Sequence, residues 1–520
     1  MVVLATRKGY SKTENVVDGT TASHLSSIIK SARDIMRKDK GLNGDLDRLP
    51  QLTWIMFLKF LDDVEKVRET ETVLSGRSYA PIIEYPYRWH DWAADPAGIT
   101  GNELLAFITN DEVILPNRKR GQGLLPYLRS LQVTNGRNGK HVLATVFRGV
   151  TNRMLNGYLL RDVINKINEI NFTSSDQIHI LSHLYESLIK ELRDAAGDSG
   201  EFYTPRPVVE FMTQMIDPKI CETVLDPAAG TGGFLVESYI HLKPQCKTTQ
   251  DYKSLQEATL FGIEAKSLPY LLCQMNLLLH DVEHPNIDPL NALRFRLGEI
   301  GDKDRVDVIL TNPPFGAEEE PGILANFPED KRTNETALLF LQLIMRKLRK
   351  AKHGKRGGRC AIVVPNGTLF GDRVALIIRK ELLQDFNVHT IVRLPKGVFA
   401  PYTDIQTNLL FFERSGPTSE IWYYELPLPQ GRKQYTKTNP LSFDEFKPVI
   451  EWWNHRKKTR HAWRVSLEQI VDNGYNLDIR NPDAIKEFEH LPPEQLIDDL
   501  LDKQSKIMAS LKDIRESLRA

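Results

Sequence analysis

The sequence predicts an α/β protein in which a doubly wound parallel sheet follows a mostly helical domain and precedes a helical C-terminal extension. Three observations lead there. Apolar residues recur at helical spacing up to about residue 195. From Gly200 to about 415, short aliphatic runs alternate with helical patterns, which is how a sheet with crossover helices reads. Three of those runs break off in loops of unusual composition, "DPAAGTGG", "IEA" and "NPPF". The expected organisation is a loose tail over 1–22, a helical domain over 23–195, the α/β domain over 196–415 and a C-terminal region over 416–520.

In the first half, Leu25, Ile28, Ile29, Ala32, Ile35 and Met36 set one helix before the polar turn "KGLNGD". "LPQLTWIMFLKFLDDVEKV" is a second helix. Residues 75–135 mix Trp, Pro and Gly irregularly and read as loops with short helices. "VTNRMLNGYLLRDVINKINEINF" and "DQIHILSHLYESLIKELRDAA" restore the helical period to about Ala196. No chemistry is visible in this half.

In the second half, "TVLDPAAGTGGFLVESYIHL" reads as strand, glycine-rich turn and helix, and "TLFGIEAKSLPYLLCQMNLLLH" as strand and helix. "VDVILTNPPF" is a strand and "NETALLFLQLIMRKLRK" a helix; "RCAIVVPNGTLF", "HTIVRLPKGVF" and "TNLLFFER" add strands. The polar stretch 241–257 must be an extended connection, and "TSEIWYYELP" is a candidate edge strand. The last 25 residues form a helix with Ile497, Leu500, Ile507, Leu511, Ile514 and Leu518 in heptad register, interrupted at Gln504. Folding back on its own domain and docking on a partner are both open to it.

Composition narrows the class. A chain of 520 residues, 41% hydrophobic and 26% charged, is an ordinary globular sequence. Lys plus Arg and Asp plus Glu are both 68, so a grip on a long nucleic acid must rest on local patches or on a partner. The four cysteines are far apart, with no zinc spacing, which suits a reducing cytoplasm and predicts no metal. "LTWIMFLKFL" is too short to span a bilayer, and the N-terminus has no apolar run resembling a signal peptide, so no membrane association is expected.

The three loops carry the chemistry. Asp226 ends a strand, and Gly230, Gly232 and Gly233 let backbone approach a ligand near a helix N-terminus, as a nucleotide-like cofactor requires. The spacing is not that of a dinucleotide fingerprint, and taken alone an ordinary tight turn explains it equally well. Glu264, at the tip of the next strand, can accept from both hydroxyls of a ribose, and by itself is equally well read as a solvent-facing strand end. Val306, Val308, Ile309 and Leu310 form a buried strand, and Pro313 and Pro314 cannot continue its ladder. Asn312 and a proline-fixed carbonyl then make two rigid acceptors, matched to the two N–H groups of a planar exocyclic amine. Phe315 adds a face on which a flat heterocycle can stack, although taken alone the apolar strand and double proline are also open to reading as a plain strand-end turn. In a doubly wound sheet all three loops meet at the carboxyl edge.

In this order the loops resemble those of the amino-methyltransferases that use S-adenosylmethionine. "GEFYTPRPVVEFM" (200–212), "PNGTLFG" and "LPKGVFAPYTDIQTNLLFF" are further similar to the modification subunits of Type I restriction–modification systems, a resemblance covering about 20–415. It implies a Rossmann-like methyltransferase sheet and cofactor contacts at Glu201, Phe202, Tyr203, Thr204, Pro205 and Arg206, at Thr231, Gly232 and Gly233, and at Glu264, beside Asp226 and Gly230. It places the catalytic tetrad on Asn312, Pro313, Pro314 and Phe315. The implied reaction is in-line transfer of the sulfonium methyl to N6 of an adenine flipped from the duplex, with Tyr203 closing over the cofactor.

The resemblance also implies partners: a DNA specificity subunit with two modification chains per specificity chain, double-stranded DNA, and a restriction or translocase subunit. No G-x-x-x-x-G-K-[ST] loop occurs, so ATP-driven translocation would belong to another chain. The basic runs 346–359 and 454–464 are candidate phosphate contacts or simply solvated faces. Rival readings are a stand-alone DNA methyltransferase, a protein-glutamine or RNA amino-methyltransferase, and a binding protein that kept only the fold.

Overall fold

The computed structural model describes residues 15–76, 78–131, 139–170, 204–282, 285–315, 319–351, 356–400, 405–436 and 438–483, with 497, 501, 503–505, 507 and 508. Helix α1 (Asn15–Met36) starts inside the expected tail, because extending a nucleated helix fixes only one residue per added hydrogen bond. It packs along α4 (Gly157–Asn168), after α2 (Asp45–Leu74) and α3 (Gly139–Arg148). The Asn156 side chain caps α4 by accepting from the Tyr158 and Leu159 amides at 2.9 and 3.2 Å. The irregular stretch after α2 holds short helices, Trp89–Trp92, Gly101–Thr109 and Leu124–Ser130. Buried Arg161 donates to the carbonyls of Trp92, Ala93 and Ile99 at 3.1, 3.3 and 2.6 Å, satisfying backbone that no helix or strand pairs.

The strands β1 (Val224–Asp226), β2 (Leu260–Ile263), β3 (Asn286–Asp288), β4 (Val308–Thr311), β5 (Arg359–Pro365), β6 (Asn387–Arg393), β7 (Thr407–Glu413), β8 (Glu420–Glu425) and β9 (Ala462–Ser466) form one sheet. Their order is β3-β2-β1-β4-β5-β7-β6-β8-β9. Every residue of β1 and β4 is buried, as their continuous aliphatic runs require. Helices α5 (Arg206–Ile216), α6 (Gly233–Leu242) and α7 (Ser267–Leu279) share a core with Val224, Leu260 and Val308. Helices α8 (Thr336–Lys347) and α9 (Val374–Asp385) share another with Leu225, Ile263 and Ile309 on the opposite face. The first core runs on into the helical domain, where α7 packs against α2 and α3.

The sheet departs from the expected parallel one in two ways. β7 is antiparallel to both β5 and β6, and β9 is antiparallel to β8, so the sheet is mixed. The described part of the β6–β7 connection holds turns and no helix, as suits neighbouring strands that pair antiparallel. The sheet also continues past residue 415. β8 joins β6 in parallel, and Tyr423 stacks on its β9 partner Trp463 with centroids 5.3 Å apart. The 241–257 connection is helical in part, with Thr248 and Asp251 forming a capping box. Of the C-terminal heptad, Ile497 and Ile507 are exposed, while Leu500, Leu511, Ile514 and Leu518 lie outside the described residues. Among the described residues no helix is long and apolar enough to cross a membrane.

Arg359 anchors α5 to the sheet. It is 4% exposed, pairs with both oxygens of Glu222 at 2.8 and 2.7 Å, and donates to the carbonyls of Ile216 and Asp217. Arg359→Met leaves that carboxylate and both carbonyls short of donors. The expected loss is on the order of 3 kcal/mol, read as a lower urea midpoint.

Candidate active site

The order of the sheet reverses between β1 and β4: β2 and β3 lie to one side of β1, β4 and β5 to the other. At such a switch point the loops leaving the carboxyl ends separate and open a crevice. Asp226 ends β1, Glu264 follows β2 and Asn312 follows β4, so the three sequence-predicted loops share this edge.

Asp226 is 1% exposed, and its Oδ1 accepts from the Ala228 amide at 3.1 Å and the Thr311 hydroxyl at 2.7 Å. Its carboxyl group therefore ties the glycine-rich turn to the end of β4 rather than presenting a surface to a ligand. Burial pushes its pKa up to about 7, against the pull of those two hydrogen bonds, and the nearby Glu264 charge raises it further. The folded state thus holds a proton that the unfolded chain releases at about 3.8. Stability from this group is present below that value and is lost as pH rises through about 7. Asp226→Asn, neutral at every pH, should melt above the parent at pH 8 and lose that advantage near pH 4, as thermal scans at the two values would reveal.

The turn is held from several sides. Glu264 accepts from the Gly230 amide at 2.9 Å and from the Lys266 amide at 2.8 Å, so this carboxylate both shapes the turn and stands beside it. Two carboxylate oxygens offer about four acceptor sites, which leaves capacity for ribose hydroxyls. Gly230 and Gly232 adopt φ of +52° and +79°, and a Cβ on Gly232 would lie 2.8 Å from the Cys273 sulfur. Asn276 on α7 donates to the Thr231 carbonyl at 2.9 Å. Arg206 reaches the Gly233 carbonyl at 3.5 Å, and Pro205 stands at the N-cap of α5.

Beyond β4, Pro313 is buried, and Pro314 and Phe315 are half-buried, with Phe315 packed on the core. The Asn312 amide nitrogen donates to the Thr204 hydroxyl at 3.0 Å. Its Oδ1 is buried and has no donor among the described residues. A buried acceptor without a donor is costly, and an exocyclic amine would satisfy it. Glu201, Phe202 and Tyr203 lie outside the described residues.

Residues 176–490 match the family described as N-6 DNA Methylase, and residues 25–167 match the HsdM N-terminal domain. The chain belongs to the N-6 DNA methylase family. This methylase is 44% identical over 505 residues to the Type I restriction enzyme EcoEI methylase subunit of Escherichia coli, covering 95% of this chain and 97% of that one. Its structure is similar to a modification subunit of a putative type I restriction enzyme from Vibrio vulnificus YJ016, with a TM-score of 0.84 and 63% identity over 90% of this chain and 99% of that one. A chain from work on complex assembly and conformational transition of the type I R-M system is similar at a TM-score of 0.73 and 39% identity, covering 96% of this chain and 98% of that one. The methylase is thus of the Type I modification-subunit kind, and its enzyme class is adenine-N6 DNA methylation.

Sequence reasoning missed several residues that build the methylase's site. Asn276, Thr311 and the Thr204–Asn312 bond are among them, as is Asp288, whose carbonyl accepts from the Glu264 amide at 2.9 Å. A signal existed for Asn276, an amide in the apolar helix "LLCQMNLLL". Four arginines of the basic run 346–359 are ion-paired within the methylase, while residues 352–355 lie outside the described residues. Arg346 pairs with Glu381, Arg349 with Asp307, Arg356 with Glu413 and Arg359 with Glu222. In the run 454–464, Arg456 stacks on Trp453 and Arg464 pairs with Glu420.

Proposed function

We propose that this chain methylates N6 of an adenine flipped out of a specific double-stranded DNA site, with S-adenosylmethionine as donor and a separate specificity subunit choosing the site. The observation that carries the reading is the Oδ1 of Asn312 at the switch point, buried and without a donor among the described residues. S-adenosylmethionine, when bound, supplies an electrophilic methyl group. The residues present fit it: Glu264 for ribose hydroxyls, the Gly230–Gly233 turn for close backbone approach, and Thr204 to Arg206 at the start of α5.

The chain's own residues then do three things. Asn312 Oδ1 and the Pro313 carbonyl accept the two N–H groups of the target amine, which aims its lone pair and stabilises the positive charge that develops there. Thr204 holds the Asn312 amide so that its oxygen faces the base. Phe315 supplies the stacking face for the flipped adenine. Thr204→Val should lower turnover at saturating cofactor about tenfold, because it removes the hydrogen bond that orients Asn312.

A specificity subunit, two modification chains to each, agrees with relatives named as methylase subunits and with a similar chain whose structure concerns complex assembly. Cleavage would belong to a restriction subunit. The deciding assay follows a labelled methyl group into DNA with the chain alone and with the specificity subunit. Label on adenine N6 only with the partner supports the reading; label with the chain alone would mean that it recognises its own site.

A further inference from the structure

Between β3 and β4 the chain runs through 3-10 turns at Ala292–Arg294, Leu297–Glu299 and Asp302–Asp304, with no crossover helix over β1 and β2. A cavity of about 600 Å³ remains there, with Leu225, Phe261 and Ile263 of the sheet among its walls. Neither Asp226, Gly230, Glu264 nor Asn312 lines it, so it is separate from the strand-end site. Its size is that of a small-molecule site, and its wall is mixed: apolar sheet residues on one side, and elsewhere more basic than acidic side chains, with the carboxylates Asp288 and Asp304 among them.

Two polar groups in the wall, the Lys347 ammonium and the Gln274 amide oxygen, have no hydrogen-bond partner among the described residues. Lys347, the last residue of α8, is 8% exposed, and among the described residues no carboxylate or carbonyl binds its ammonium. The Nζ sits 4.3 Å from the centroid of the Phe295 ring. Burial pushes its pKa down, while Asp304 and Asp288 pull it back from a distance. Gln274 on α7 is 1% exposed; its amide nitrogen donates to the Tyr270 hydroxyl at 2.9 Å, and its Oε1 has no donor. Arg305 and Arg349 add positive charge to the wall that Lys347 occupies, though both are already ion-paired, with Asp302 and Asp307.

We propose that this cavity binds a nucleotide-class ligand, a flat base bearing an N–H donor joined to an anionic phosphate. The apolar sheet surface takes the base, Gln274 accepts from its N–H, and Lys347 receives the phosphate. A bare phosphate would leave the sheet surface uncovered. A purely apolar ligand would leave both polar groups unmatched in a drier site.

The test is calorimetric titration of AMP into the full chain with the cofactor site first saturated by S-adenosylhomocysteine, so that the adenosine pocket at Glu264 cannot report. One-to-one binding is expected, with adenosine and inorganic phosphate each weaker by at least about tenfold. Lys347→Met should weaken AMP by at least about tenfold and leave S-adenosylhomocysteine binding unchanged. Lys303→Glu, at the exposed rim and harmless to folding, should weaken AMP several-fold. The absence of saturable AMP binding to the parent chain overturns the proposal, as does AMP affinity untouched by both substitutions.

Discussion

Asn312→Ala is expected to remove methyl transfer by at least about a thousandfold while leaving cofactor affinity within a few-fold of the parent. The size follows from what the side chain does. Its Oδ1 is a buried acceptor held ready, with its amide nitrogen occupied by Thr204. An amine whose N–H groups are not gripped has no fixed lone-pair direction and no nearby dipole to offset its developing charge. The cofactor contacts proposed at Glu264 and the glycine-rich turn lie on other strand ends, so they survive. Asn312→Asp separates an acceptor role from a merely structural one. A carboxylate keeps an acceptor for the amine, and the Thr204 hydroxyl can turn to donate to its other oxygen. Detectable turnover in Asn312→Asp, with none in Asn312→Ala, is the expected pair of results from single-turnover assays. Equal loss in both would place the asparagine among the structural residues.

The contrast between what was readable and what was not has a physical basis. The strand ends were legible because each is marked locally: proline stops β4 after Thr311, glycine opens the turn after β1, and the side chains at issue sit within a few residues of those marks. The residues that hold them are not local. Thr204 lies 108 residues from Asn312, and Asn276 lies 45 from Thr231. Only the sheet brings them together. The strands β1, β2 and β4 to β7 are legible because they are aliphatic and mostly set between helical periods, whereas β3, the three residues "NID", is too short and polar to announce itself. β8 reads only as a candidate edge strand, and β9 not as a strand at all, because their apolar surface is aromatic and interrupted by charge, as in "EIWYYE" and "AWRVS"; β8 in fact lies between β6 and β9. Stacking of Tyr423 on Trp463 replaces the aliphatic run there, and nothing in either segment alone announces the other. The inverted β7 is marked by the lack of a helical period between "HTIVRL" and "TNLLFFER", whereas helical periods precede most of the parallel strands.

Gly232→Ala is the second substitution from which a large effect is expected, and its cause divides into two separable parts. At φ +79° an alanine is strained by roughly 1–2 kcal/mol. Its Cβ would also stand 2.8 Å from the sulfur of Cys273, a side chain fully buried on α7 and unable to move outward. The turn must therefore shift, and the amides of Gly230 and its neighbours shift with it, away from Glu264. Cofactor affinity should fall by at least about a hundredfold, roughly 3 kcal/mol, with transfer lost in parallel. Adding Cys273→Ala relieves the contact but not the dihedral strain. The double variant should then recover part of the affinity, whereas Cys273→Ala alone should change it little. Measured by titration with S-adenosylhomocysteine, this cycle shows coupling, the double variant losing less affinity than the two single losses sum to, if the sulfur is the obstacle, and none if dihedral strain is the whole cause. Because Asn276 still holds the Thr231 carbonyl in every variant, the turn stays attached to α7 and the comparison reads the glycine rather than a detached loop.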